Sequence, residues 1–213
     1  MEDEMLLSSW YDVHSTVPPS YVQLPENRPG KVVSSLHEPI PVIDLGERDR
    51  AHLTQQILKA SQEYGSFQVI NHGVSHHLMD ETLNIFKEFH AMPPKEKINQ
   101  CSKDPNGNCK IYTSGLEPRY FCGGLCENPS LAAHHYPPCP QPTLTLGLAK
   151  HKDPTIITIL LQDKEVEGLQ VLKDGTWIAV APIPNAFVVN IGLLLQVLNF
   201  LSFCLVVTHK YYK

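Results

Sequence analysis

The second half of the chain is cut into pieces too short for a helical protein. Between Tyr136 and Ile191, apolar runs occupy 156–161, 168–172, 177–180 and 187–191, and Lys173-Asp174-Gly175 separates the second from the third. Runs this short, bounded by turn residues, read as strands. An Asp-Gly pair between two of them is a hairpin signal. The 18 prolines of the chain point the same way, because each removes a backbone donor and interrupts regular structure. Several short strands at near-regular spacing predict a barrel or jelly roll.

The first half reads differently. Residues 1–38 are polar and punctuated by Pro18-Pro19, Pro25 and Pro29-Gly30, which describes an arm with at most a short helix. The run Pro39-Ile40-Pro41-Val42-Ile43-Asp44-Leu45 predicts a strand. Leu53, Ile57, Ala60 and Tyr64 recur at helical spacing, and Gly65 follows as a stop. A second strand is expected from Ser66 to Gly73. A second helix then carries Leu78, Leu83, Phe86 and Phe89, with Ser75 placed to cap it and Pro93-Pro94 to end it. The order strand, helix, strand, helix followed by a β-rich half gives a mixed α/β (α+β) chain. Residues 99–130 show no periodic segment.

At 213 residues and a net charge of −5, the chain can bury a sizeable core. No Lys/Arg-rich face suggests nucleic acid. The start Met1-Glu2-Asp3-Glu4 is acidic where a secretory signal is basic. A cytoplasmic, reducing location is therefore expected, with the six cysteines as free thiols. Cys122 and Cys126, with Cys139, His134 and His135 nearby, do not have the spacing of a zinc ribbon or finger.

His151-Lys152-Asp153 carries the chemistry. In an extended strand, residues two apart project to the same face, so His151 and Asp153 can reach one ion while Lys152 faces away. An imidazole and a carboxylate from one strand are two-thirds of the 2-His-1-carboxylate triad of non-haem Fe(II) oxygenases. Trp177 and Phe187 read as core, and His72, His76 and His77 as surface or capping residues.

Longer words surround that motif. They include Pro41-Val42-Ile43-Asp44-Leu45, the run Gly65-Ser66-Phe67-Gln68-Val69-Ile70-Asn71-His72-Gly73-Val74, and Phe86-Lys87-Glu88-Phe89-His90-Ala91-Met92-Pro93. Later come His135-Tyr136-Pro137-Pro138-Cys139-Pro140, Leu144-Thr145-Leu146-Gly147-Leu148, His151-Lys152-Asp153-Pro154, and Gly168-Leu169-Gln170-Val171 through Asn190-Ile191-Gly192. In this order they resemble the plant 2-oxoglutarate- and Fe(II)-dependent dioxygenases, in particular the hyoscyamine 6-dioxygenase-like branch. The resemblance implies a double-stranded β-helix (jelly roll) with an N-terminal helical cap. It implies His151 and Asp153 as iron ligands and Tyr136 as a hydrogen-bond donor toward 2-oxoglutarate. The implied cofactors are Fe(II) and 2-oxoglutarate, with ascorbate as reductant. The implied reaction is hydroxylation or desaturation of a small specialised metabolite by a monomeric plant oxidoreductase of secondary metabolism.

The chain departs from that pattern in three places. Lys110-Ile111-Tyr112-Thr113-Ser114 runs directly into Gly115-Leu116-Glu117-Pro118, where the family has a helical stretch. No arginine follows Arg119, so the fork that grips the far carboxylate of 2-oxoglutarate has no counterpart. His134 stands where the family has an asparagine, which makes it a second, weaker candidate for the co-substrate site. His209 is the one later histidine at the family's separation from Asp153. Its neighbours do not resemble the family's, so a solvated tail is the expectation and a third ligand the alternative.

The resulting division is an N-terminal arm (1–38), a dioxygenase cap region (39–115), an incomplete jelly roll (116–196) and a hydrophobic, non-family tail (197–213). Two rival readings follow. One is a catalytically inactive remnant acting as a binding protein, with 193–207 an exposed apolar segment. The other is a tail-anchored membrane form, because 186–207 carries no charged side chain. Membrane insertion is not the expectation, since Asn190, Gln196 and Asn199 interrupt the stretch.

Overall fold

The computed structural model describes residues 14–28, 39–100, 131–198 and 206–209, with 98–100, 198 and 209 described by backbone alone. Strand β1 (Val42–Asp44), helix α1 (Arg50–Glu63) and strand β2 (Ser66–Ile70) form a β-α-β unit, and β1 and β2 are parallel. Asp49 starts α1 by accepting hydrogen bonds from the Ala51 and His52 amides. Gly65, at φ 65°, ends it. Helix α2 (His76–Ala91) begins after Ser75, but the Ser75 side chain makes no capping bond, contrary to the sequence expectation. Met92 takes extended backbone before Pro93, and α3 (Pro94–Gln100) starts on Pro94.

Strands β3 (Leu148–His151), β4 (Ile157–Leu160), β5 (Leu169–Lys173), β6 (Thr176–Ala179) and β7 (Phe187–Ile191) follow at the places the apolar runs predict. Asp174 and Gly175 both have positive φ, as a two-residue type I′ hairpin between β5 and β6 requires. A short helix α4 (Leu193–Leu198) and strand β8 (Val207–His209) complete the described elements. The strands form two four-stranded sheets, ordered β1-β2-β7-β4 and β3-β8-β5-β6.

The core has two compartments. One lies between the sheets, where Leu169, Val171, Ile178, Val180, Val188 and Val207 pack together. The other lies beneath α1, where Leu53 and Ala60 meet Ile43, Phe67, Val69 and Ile191. Phe187 packs against this second compartment and beside the His72 ring. His72 is a structural residue: Nδ1 accepts from the Val74 amide and Nε2 donates to the Asn185 carbonyl. Of the cysteines, Cys139 is a buried thiol outside any disulfide, and the other five lie outside the described residues.

Two expectations about the end of the chain are corrected. His209 is not a frayed tail residue: it lies in β8, hydrogen-bonded between β3 and β5. The described residues of 193–207, namely 193–198 and 206–207, are not simply exposed. Leu195 packs under α1, Gln196 is buried with Nε2 on the Ile191 carbonyl, and Val207 is core. Leu193 and Val197 do remain exposed. No helix among the described residues is long and apolar enough to cross a membrane.

The junction between α2 and the segment leading into β3 carries a pH-sensitive contact. His90 stacks on His135 at 4.8 Å, and the buried Lys97 donates to the His90 carbonyl. Burial, then His135 and Lys97, pull His90 down to about 4. The unfolded chain therefore binds more protons between the ordinary histidine value and about 4, and stability falls as pH drops through that window. His151, held above its ordinary value, acts in the opposite sense. Thermal melts from pH 7 to 4.5 are expected to show a smaller loss in His90→Gln than in the parent.

Candidate active site

The site begins where β3 ends. His151 is the last residue of β3, and Asp153 leads the chain toward β4. The Asp153 carbonyl accepts from the Leu193 amide at 2.7 Å, and the Thr155 carbonyl accepts from the Leu194 amide at 3.2 Å. These bonds fasten the turn after the His-x-Asp motif to the segment leaving β7. Gly192 makes the contact possible, because a Cβ there would overlap the Thr155 carbonyl.

The His151 ring donates from Nδ1 to the Ala149 carbonyl at 2.9 Å. In the neutral ring that leaves the Nε2 lone pair free, and Nε2 faces Asp153 Oδ1 at 3.4 Å. Two donors each about 2.1 Å from one ion and at right angles are about 3.0 Å apart. The observed spacing is close to that of neighbouring ligands on one ion, and the carbonyl behind the imidazole is the outer-shell partner such ligands have. The pair therefore fits a divalent metal.

The surroundings favour the charged pair. Burial opposes charge on both groups, lowering His151 and raising Asp153. Their mutual contact outweighs it, helped by the Ala149 carbonyl for His151 and by Thr158 and Asn190 for Asp153. His151 accordingly sits above the ordinary histidine value and Asp153 below the ordinary carboxylate value. Asn190 Nδ2 donates to Asp153 Oδ2 at 3.3 Å, and the Ser66 hydroxyl donates to Asn190 Oδ1 at 2.9 Å. Thr158 shares a hydroxyl contact with Thr155 at 3.0 Å. Sequence reasoning assigned no role to these polar residues. The available signal was Asn190 itself, a lone amide in the apolar run of β7.

Tyr136 is half-buried against Val17 and Cys139, and its ring lies on Gly147, immediately before β3. It thus sits at the start of the strand that ends in His151. His134 is exposed, with its ring parallel to that of Tyr136 at 6.2 Å. His135 turns the other way, onto His90. Strand β8 lies beside β3, with Val207 opposite His151 and His209 opposite Leu148 across a bulge. Among the described side chains, no three metal-binding residues cluster.

Residues 127–209 match the model of the 2OG-Fe(II) oxygenase superfamily, and residues 40–119 match that of the non-haem dioxygenase in morphine synthesis N-terminal region. Protein DOWNY MILDEW RESISTANCE 6 of Arabidopsis thaliana is 35% identical over 249 residues, covering 87% of this chain and 73% of that protein. The chain belongs to the 2OG-Fe(II) oxygenase superfamily.

Hyoscyamine 6-dioxygenase of Hyoscyamus niger is 32% identical, over 75% of this chain and 67% of its own length. The crystal structure of JOX2 in complex with 2OG, Fe and JA superposes with a TM-score of 0.74 at 26% identity, covering 98% of this chain and 79% of that one. The fold is the oxygenase jelly roll, and the chain is an oxidoreductase of a family that works with Fe(II) and 2-oxoglutarate on small molecules. An alignment 249 residues long cannot be filled by a chain of 213. The Arabidopsis protein therefore carries stretches that this 2OG-Fe(II) oxygenase lacks. The family match also continues past position 196, through β8 to His209.

Proposed function

We propose that this oxygenase binds Fe(II) through His151, Asp153 and His209, takes 2-oxoglutarate beside Tyr136, and hydroxylates or desaturates a small plant specialised metabolite. The carrying observation is the pairing of His151 Nε2 with Asp153 Oδ1 at 3.4 Å on a strand that β8 flanks. Position 209 lies on β8 two residues from Val207, the partner of His151. When bound, Fe(II) and 2-oxoglutarate supply oxygen activation, with succinate and CO2 as the co-products. The protein's part is to hold, orient and dry the reacting groups. Tyr136, fixed against Gly147, is the hydroxyl donor toward the co-substrate, with His134 beside it.

The substrate class is supported by the printed activities of relatives, among them hyoscyamine 6-dioxygenase and flavanone 3-dioxygenase 2 of Oryza sativa subsp. japonica. Ascorbate as reductant, a monomeric state and a cytoplasmic location complete the reading. Succinate release from 2-oxoglutarate, with Fe(II) and ascorbate present, tests the proposal. Release that requires Fe(II) supports it. No release from iron-loaded protein contradicts it.

A further inference from the structure

We infer that Asn190, held from behind by Ser66, restricts Asp153 to one metal-binding oxygen and so keeps a coordination position open. The inference rests on the metal-site reading above and concerns residues to which that reading gives no part.

Register sets up the device. Asn190 on β7 stands opposite Ser66 on β2 and opposite Thr158 on β4, so three polar side chains form one row across three adjacent strands. Ser66 is 0% and Asn190 1% exposed. Polar groups this deep are retained at a cost unless each finds its partner. Here both do. The Ser66 hydroxyl donates to Asn190 Oδ1, and Asn190 Nδ2 donates to Asp153 Oδ2. Turning the amide over would set its carbonyl oxygen against the carboxylate, so the observed orientation satisfies all three groups together.

The two carboxylate oxygens of Asp153 thereby acquire different duties. Oδ1 faces His151 Nε2, where an ion would sit, while Oδ2 is engaged by Asn190. A carboxylate with both oxygens free can bind a metal through both. An oxygenase site needs open positions instead. The amide acts through Asp153 and touches neither metal nor substrate, which makes Asn190 a positioning residue and Ser66 its support.

Co(II) is a suitable probe, since its visible absorption reports the ligand set and weakens as coordination number rises. In Asn190→Ala, Co(II) affinity is expected to fall about 10- to 100-fold, the usual range for losing an outer-shell partner. The absorption of the Co(II) still bound should weaken, and 2-oxoglutarate affinity of the Co(II)-loaded protein should fall about tenfold. Ser66→Ala, a smaller change that leaves Asn190 and Asp153 in place, should move all three readouts in the same direction by less. If both variants melt at lower temperature but keep the parental spectrum and both affinities, Asn190 serves packing alone and the inference is overturned. If Asp153→Ala binds Co(II) as the parent does, the metal-site reading itself fails and takes this inference with it.

Discussion

Asp153→Ala is expected to remove Fe(II) binding altogether. The carboxylate is the one anionic group in the proposed ligand set, and its charge is maintained inside the fold by His151, Thr158 and Asn190. Its loss leaves the ion a neutral imidazole and water on this side. It also strands the buried Asn190 amide without its acceptor. Metal content after anaerobic loading and desalting should drop to background, while the chain stays folded, because Asp153 contributes no apolar packing. Parental metal content in a folded Asp153→Ala protein would refute the assignment of this residue.

The second large effect is expected at Gly192. This residue stands where the chain leaves β7 and crosses the turn that carries Asp153. Its amide donates to the Ile156 carbonyl at 2.8 Å, and the next amide donates to the Asp153 carbonyl. An alanine methyl would overlap the Thr155 carbonyl, a backbone atom that cannot rotate away. Overpacking of this kind costs about 3 kcal/mol or more when the neighbour is rigid. Relief requires the turn to move, and Asp153 would move with it. Gly192→Ala should therefore lose both melting temperature and metal affinity. Denaturant unfolding and Co(II) binding measured on the same preparation check this, and a parental value for either would show that the turn yields freely.

The parts legible in the sequence are those with local causes. Asp174-Gly175 dictates its hairpin because both residues accept positive φ. The periodicity of 50–64 yields α1, and the closeness of His151 and Asp153 in sequence brings their side chains together, although β3 ends at His151 and Asp153 lies past the strand. Strand β8 was illegible because three residues, Val207–His209, carry no period. Their place comes from pairing with β3 and β5, which are distant in the chain. The same holds for Ser66, Asn190 and Thr158. An amide within an apolar strand was visible as an anomaly, but its partner lies 124 residues away and is fixed by sheet register alone. Ser75 fails in the opposite way: it has the right local chemistry, yet its hydroxyl makes no cap.

The account turns on whether β3 and β8 together hold an iron ion. An anaerobic Fe(II) titration of the parent chain beside His151→Ala and His209→Ala measures this directly. The prediction is a single ion per parent chain, no binding in His151→Ala, and affinity lower by about 100-fold or more in His209→Ala, since a removed ligand costs more than a removed outer-shell partner. A parent chain that binds no Fe(II), or variants that bind it as the parent does, would contradict the account.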